Sequence, residues 1–140
     1  MKSIMNCTCA DKWGSVAPLV LRVVTGLIFL LHGWMKITVM GIPGVTGMLT
    51  GLGFPMPEVF AVLLIAGEVL GGLFLILGLM THWSAKVTAF IALVALVTVH
   101  LSKGFFLPGY EFILLLLAAS VSLMITGPGK YSLDAKMKKA

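Results

Sequence analysis

Charge is scarce in this sequence: of 140 residues only 11% are Asp, Glu, Lys or Arg, and the acids number five. Soluble domains carry about 25% charged residues, so a water-facing surface over most of the chain is excluded. Cysteine is almost absent. Cys7 and Cys9 are the only two, too few for a disulfide framework or a four-thiolate site, and a lone CxC pair reads as two reduced thiols in a tail or, alternatively, as a metal-handling or redox tail. No flavin, haem or iron–sulfur motif is present. The net charge of +5 does not point to nucleic acid, because the lysines lie in short tails and loops, where they set membrane topology.

What is abundant is apolar sequence, at 59% hydrophobic residues and a mean hydropathy of +1.09. Such a chain is an integral membrane protein with the lipid bilayer as its main partner. The fold class expected is all-α, a polytopic bundle of four transmembrane helices near residues 16–38, 57–79, 84–101 and 110–126, with an interfacial or re-entrant segment after the first. One membrane domain over residues 16–127 is thus flanked by a tail at 1–15 and a basic tail at 128–140. The first apolar run follows a basic start but has no small-residue cleavage site and is too long for a signal-peptide core, so it is expected to stay uncleaved.

Local signals place the boundaries. Residues 40–58 are too broken by Gly and Pro to span and too apolar for an ordinary loop; Pro43, Pro55 and Pro57 bracket one to three turns of helix at Gly44 to Leu52, either a lid over the bundle mouth or a membrane-hugging connector. Pro57 suits the first turn of the second span. Residues 81–84 read as a short turn, and Gly127, Pro128 and Gly129 stop the last helix. Lys2, Lys12, Lys86, Lys130, Lys136, Lys138 and Lys139 fall on one side of the membrane and only Lys36 and Lys103 on the other, which predicts both termini in the cytoplasm.

Ionisable groups inside apolar spans cost about 2.5 to 3.5 kcal/mol each and normally face protein or a wet cavity. On the first helix Arg22, Gly26, Phe29, Gly33 and Lys36 share one stripe, with His32 at its edge. Glu68 lies in the middle of the second span beside Gly67, Gly71 and Gly72, small residues that admit a close neighbour. Counting about 1.5 Å per residue, Arg22 lies roughly 9 Å and Glu68 roughly 17 Å from the cytoplasmic ends of their helices, so a buried Arg22–Glu68 pair is expected. His32 and His100 both lie roughly 24 Å from those ends, in an outer layer with Lys36, Lys103 and Glu111. Two imidazoles and a carboxylate also match a metal triad, but interfacial polar residues or a proton-linked ligand site fit as well, and no metal site is assigned.

In order along the chain, LRVVTGLIFLLHGWMK, the glycine-rich connector, GEVLGGLFLILGL, the histidine closing the third helix, GYEFILLLLAA and GPGKYSLD resemble the DoxX family of small four-helix bacterial membrane proteins, over roughly Ala17 to Asp134. The family is similar to a subunit of thiosulfate:quinone oxidoreductase and has members tied to other membrane redox systems. The resemblance implies a multi-pass protein of the bacterial inner membrane whose polar positions are Arg22, His32, Lys36, Glu68, His100 and Glu111. The chain has no outer-side cysteine, which argues against thiol exchange by the protein itself.

Two readings follow. In the first, the chain is a quinone-linked redox subunit, possessing an outer pocket in which His32, His100, Glu111 and Glu68 handle protons while Arg22, Phe29, Trp34, Lys36 and Lys103 bind a headgroup. Phe105 and Phe106 add aromatic walls, electrons come from a soluble or membrane redox partner, and the chain can form a homo-oligomer. In the second, it is a non-catalytic membrane scaffold or small-solute binder whose buried ions fix helix register.

Overall fold

A computed structural model describes residues 13–106 and 109–138; Cys7 and Cys9 lie outside them. Among the described residues there are helices and no strands. The helices are α1 (Val16–Met35), continued by a π-helical turn at Lys36–Met40; α2 (Gly41–Gly51); α3 (Pro57–Leu77); α4 (Thr81–Ala95), continued by a π-helical turn at Leu96–His100 and a 3-10 turn at Leu101–Lys103; α5 (Glu111–Thr126); and the short α6 (Leu133–Met137). Three helical stretches, Val16–Gly51, Pro57–Leu77 and Thr81–Lys103, are long and apolar enough to cross a membrane. The fourth, Glu111–Thr126, is apolar but has 16 residues.

The four long helices close a ring in which α1 packs on α3, α3 on α4, α4 on α5 and α5 back on α1. On α1 the sequence produces two faces. Arg22, Thr25, Gly26, Phe29 and Gly33 are buried, whereas Val20, Val24, Leu27 and Leu31 are exposed on the opposite side, where lipid would cover them. Because lipid tails are as apolar as leucine, close packing rather than hydrophobic transfer must hold these helices together. Its sharpest expression is the crossing of α1 and α3: a β-carbon on Gly72 would lie 2.6 Å from the carbonyl oxygen of Gly26 and 2.6 Å from the Leu30 nitrogen. Only glycine fits there.

The apolar core is stacked in three clusters. Leu75, Ala85 and Leu123 form one near the ends of the bundle that carry the chain termini, called here the terminal face. Phe29, Ala92, Ile113 and Leu116 form the middle one. Val45, Leu49, Ala61 and Ile65 form the third, towards the far face, and show what α2 does: it lays Val45 and Leu49 along the first half of α3.

Helix α4 starts at Thr81 and not at Ser84, so THWS is its first turn and not a separate turn. The cause is distant in sequence. Asp134 accepts hydrogen bonds from the backbone N–H of Met80 through Oδ1 and of Thr81 through Oδ2, both at 2.8 Å, satisfying donors that every helix start leaves open. Residues 128–138 therefore return to the bundle: the Asp134 N–H donates to the Gly78 carbonyl at 2.9 Å, and Ser132, 3% exposed, caps α6 by accepting from the Ala135 N–H.

Candidate functional site

The site is built where the end of α1 meets the middle of α3. Gly33 brings the two backbones together, since a β-carbon there would stand 2.6 Å from Val69 Cγ2 and 3.1 Å from Glu68 Cβ. One turn later the helix widens into the π-turn that begins at Lys36, an irregularity often found at functional sites. Lys36 Nζ donates to both Glu68 oxygens at 2.7 Å, and the side chains are only 13% and 6% exposed. A bidentate ion pair answers the cost of a carboxylate at mid-span.

The expected Arg22–Glu68 pair is not formed. Arg22, 2% exposed, gives its guanidinium to backbone carbonyls: Nη1 donates to Leu75 at 3.1 Å and Ile76 at 2.6 Å, and Nη2 to Tyr131. Those carbonyls come from the C-terminal end of α3, where the helix dipole favours a cation, and from the returning segment. Gly78, at φ 67°, leaves room for this arrangement, because a β-carbon there would touch Arg22 Nη1 at 2.5 Å. Arg22 is thus a structural tie at the terminal face, bound to α3 and the returning segment and not to Glu68.

His32 stands one turn before Lys36 and is exposed. Its Nδ1 lies 2.8 Å from the Ile28 carbonyl; a carbonyl only accepts, so Nδ1 carries the hydrogen and Nε2 is left as the active nitrogen. The ring stacks on Phe112 of α5 at 6.4 Å between centroids and lies within coulombic reach of Glu68. Glu111 precedes Phe112 and starts α5, its N–H bonded to the Phe105 carbonyl at 3.0 Å. His100 ends the π-turn of α4 with Nδ1 3.0 Å from the Ala95 carbonyl, which assigns its hydrogen as in His32.

Other expected wall residues are placed elsewhere. Phe29 is 3% exposed inside the middle core cluster, where it packs helices together. Trp34 is 60% exposed on the outside of the bundle, as an interfacial aromatic would be. Lys103 is exposed at the far face, while Phe105 and Phe106 pack edge to face on each other at 5.4 Å. Among the described residues no three His, Cys, Asp or Glu side chains gather as a metal site. An apolar groove of about 610 Å³ is lined by Ile37 and Val69, the residues that follow Lys36 and Glu68 in the chain, with Val62 and Ile65 among others. Asp134 and Ser132 are the residues that sequence reasoning passed over; the SLD of GPGKYSLD carried the signal, a serine three residues before the N–H it caps.

The DoxX family model matches residues 17–101. The chain belongs to the DoxX family. Among its relatives, a Bacillus subtilis (strain 168) protein named "Putative oxidoreductase CatD" is 34% identical over 124 residues, 89% of each chain. Inner membrane protein YqjF of Escherichia coli (strain K12) is 32% identical, covering 91% of this chain and 97% of that protein. Inner membrane protein YphA of the same organism is 29% identical over 94% of this chain and all of that protein (100%). No solved structure matches. For a DoxX chain, HGxxK and GExxGG now have a joint physical meaning: Gly33 and Gly72 set the α1–α3 approach, Gly67 and Gly71 face Val87, Thr88 and Ile91 of α4, and Lys36 and Glu68 form the ion pair between the two motifs.

Proposed function

We propose that this DoxX-family chain is a bacterial inner-membrane protein with four spans and cytoplasmic termini, serving as a quinone-linked redox subunit whose headgroup site is the Lys36–Glu68 pair with His32. The observation that carries the proposal is the bidentate, little-exposed ion pair at 2.7 Å beside an imidazole whose Nε2 is uncommitted. An ammonium has three N–H donors; two face Glu68, and the third is available to a carbonyl oxygen of a bound headgroup. A quinone supplies two-electron chemistry that also takes up two protons. The imidazole of His32 is suited to pass protons between the exposed far face and the carboxylate, and His100 and Glu111 are proposed to extend that route. The groove beside Ile37 and Val69 suits the apolar chain of such a ligand. The name of the Bacillus subtilis relative supports redox chemistry, with electrons arriving from a partner protein, and the names of the two Escherichia coli relatives support the inner membrane.

The test is titration of a short-chain quinone into purified protein, read by tryptophan quenching, for wild type, His32→Ala and Lys36→Met. Saturable quenching that weakens in both variants is expected. Equal quenching in all three removes the site assignment.

One observation favours the scaffold reading: both oxygens of Glu68 are already bound and both imidazoles hold carbonyls of their own helices. On that reading quinone does not quench saturably, and changes at the pair alter stability alone.

A further inference from the structure

The terminal face carries a second concavity, about 330 Å³, between the start of α4 and the returning C-terminal segment, with His82, Trp83, Pro128, Asp134 and Lys138 among its walls. It is remote from Lys36 and Glu68 and plays no part in the redox reading. His82 Nδ1 donates to the Met124 carbonyl of α5 at 3.0 Å, which ties α4 to α5 and leaves Nε2 uncommitted. Lys86 stands over the face of the Trp83 ring, 4.3 Å from its centroid, so a cation is held against an aromatic residue of the wall.

The charge balance is one-sided. Among the described residues this face presents exposed Lys130, Lys136 and Lys138 and half-buried Lys86, and its acid, Asp134, is already engaged by the N–H groups of Met80 and Thr81. Depth is also defined. Thr81 opens a helix long and apolar enough to cross the membrane, and exposed Trp13, Trp83 and Tyr131 surround the same end, the position of aromatic belts at the headgroup level. Met80, Trp83, Pro128 and Met137 make much of the wall apolar. A cationic rim over an apolar wall, at the membrane boundary, matches an anionic amphiphile better than a soluble anion.

We propose that this pocket binds the phosphodiester headgroup of an anionic phospholipid, with Lys138 and His82 facing the phosphate and Trp83 lying along the glycerol and upper acyl region. The lipid then bridges α4 and the returning segment.

The experiment uses the full chain with Trp13→Phe and Trp34→Phe, so that Trp83 alone reports, in nanodiscs of phosphatidylcholine containing either brominated phosphatidylglycerol or brominated phosphatidylcholine. Brominated phosphatidylglycerol is expected to quench at the lower mole fraction. Lys138→Gln should weaken that preference about five-fold, the effect of one basic residue near an anionic surface, while Lys103→Gln at the far face leaves it intact. Native mass spectrometry of the unmodified chain should likewise retain phosphatidylglycerol in preference to phosphatidylcholine. Equal quenching by the two lipids, or a preference indifferent to Lys138→Gln, overturns the proposal; so does relief of quenching by inorganic phosphate, which assigns the pocket to a soluble anion.

Discussion

Lys36 and Glu68 meet across α1 and α3, one ammonium against both oxygens of one carboxylate at 2.7 Å, and they form an interhelical ion pair. Truncating one partner of a buried pair leaves the other charge unanswered, at a cost of about 3 to 5 kcal/mol. Lys36→Leu and Glu68→Leu should each lower stability in detergent on that scale, and the double variant by less than the sum. Additive losses in a denaturation cycle would show that the pair does not couple.

Arg22 is predicted to hold the C-terminal segment. Its Tyr131 contact is the only side-chain bond from α1 to that segment among those described, and bonds to charged groups are worth about 1.5 to 3 kcal/mol each. Arg22→Met should lower stability by at least about 3 kcal/mol and open the segment to trypsin at Lys130 and Lys136. Arg22→Lys should not rescue it, since a single ammonium lacks the guanidinium's spread of donors. Wild-type proteolysis rates in Arg22→Met would refute the tie.

Glycine positions should separate sharply. A β-carbon at Gly72 collides with α1 backbone, whereas one at Gly47 meets nothing within 4 Å. Gly72→Ala is expected to impair folding, and Gly47→Ala to be neutral or stabilising by up to about 1 kcal/mol. Thermal melts of the two variants decide the matter, and similar melting points would count against the α1–α3 crossing.

Burial of Asp134 pushes its pKa up, but the N–H groups of Thr81 and Met80 and the charge of Lys138 outweigh that and hold it below the usual carboxylate range. A depressed folded-state pKa contributes stability that is fully present above the unfolded value of about 3.9 and is lost as pH falls through the folded one. Melting temperature should therefore show no Asp134-dependent change from neutrality to about pH 5, and in Asp134→Asn it should fall at neutral pH while losing part of its acid dependence. An Asp134→Asn melting profile parallel to wild type down to pH values below the carboxylate range would sink the capping role.

Orientation is tested independently of stability. A Lys139→Cys variant should resist a membrane-impermeant maleimide in intact cells and react after lysis. Labelling in intact cells would place the termini outside.

The sequence by itself determined the apolar spans, because about 20 apolar residues in a row have few alternatives to a membrane helix, and it determined the ends set by local chemistry, such as Pro57 in the first turn of α3 and Gly127 after α5. It also marked the buried stripe of α1, since helical spacing alone aligns Arg22, Gly26, Phe29 and Gly33. Which cation answers Glu68 was decided by tertiary structure. Depth counted from helix ends assumes that the helices start level, but the antiparallel register sets Gly26 against Gly72 and Gly33 against Val69, which puts Glu68 within a turn of Lys36 and far from Arg22. Arg22 was then satisfied by carbonyls of α3 and of Tyr131, 109 residues away. The start of α4 was decided in the same way, by Asp134 some 53 residues downstream of Thr81. Spacing along a chain fixes what one helix presents to its neighbours, whereas partners contributed by other segments depend on register, which exists only once the helices have packed.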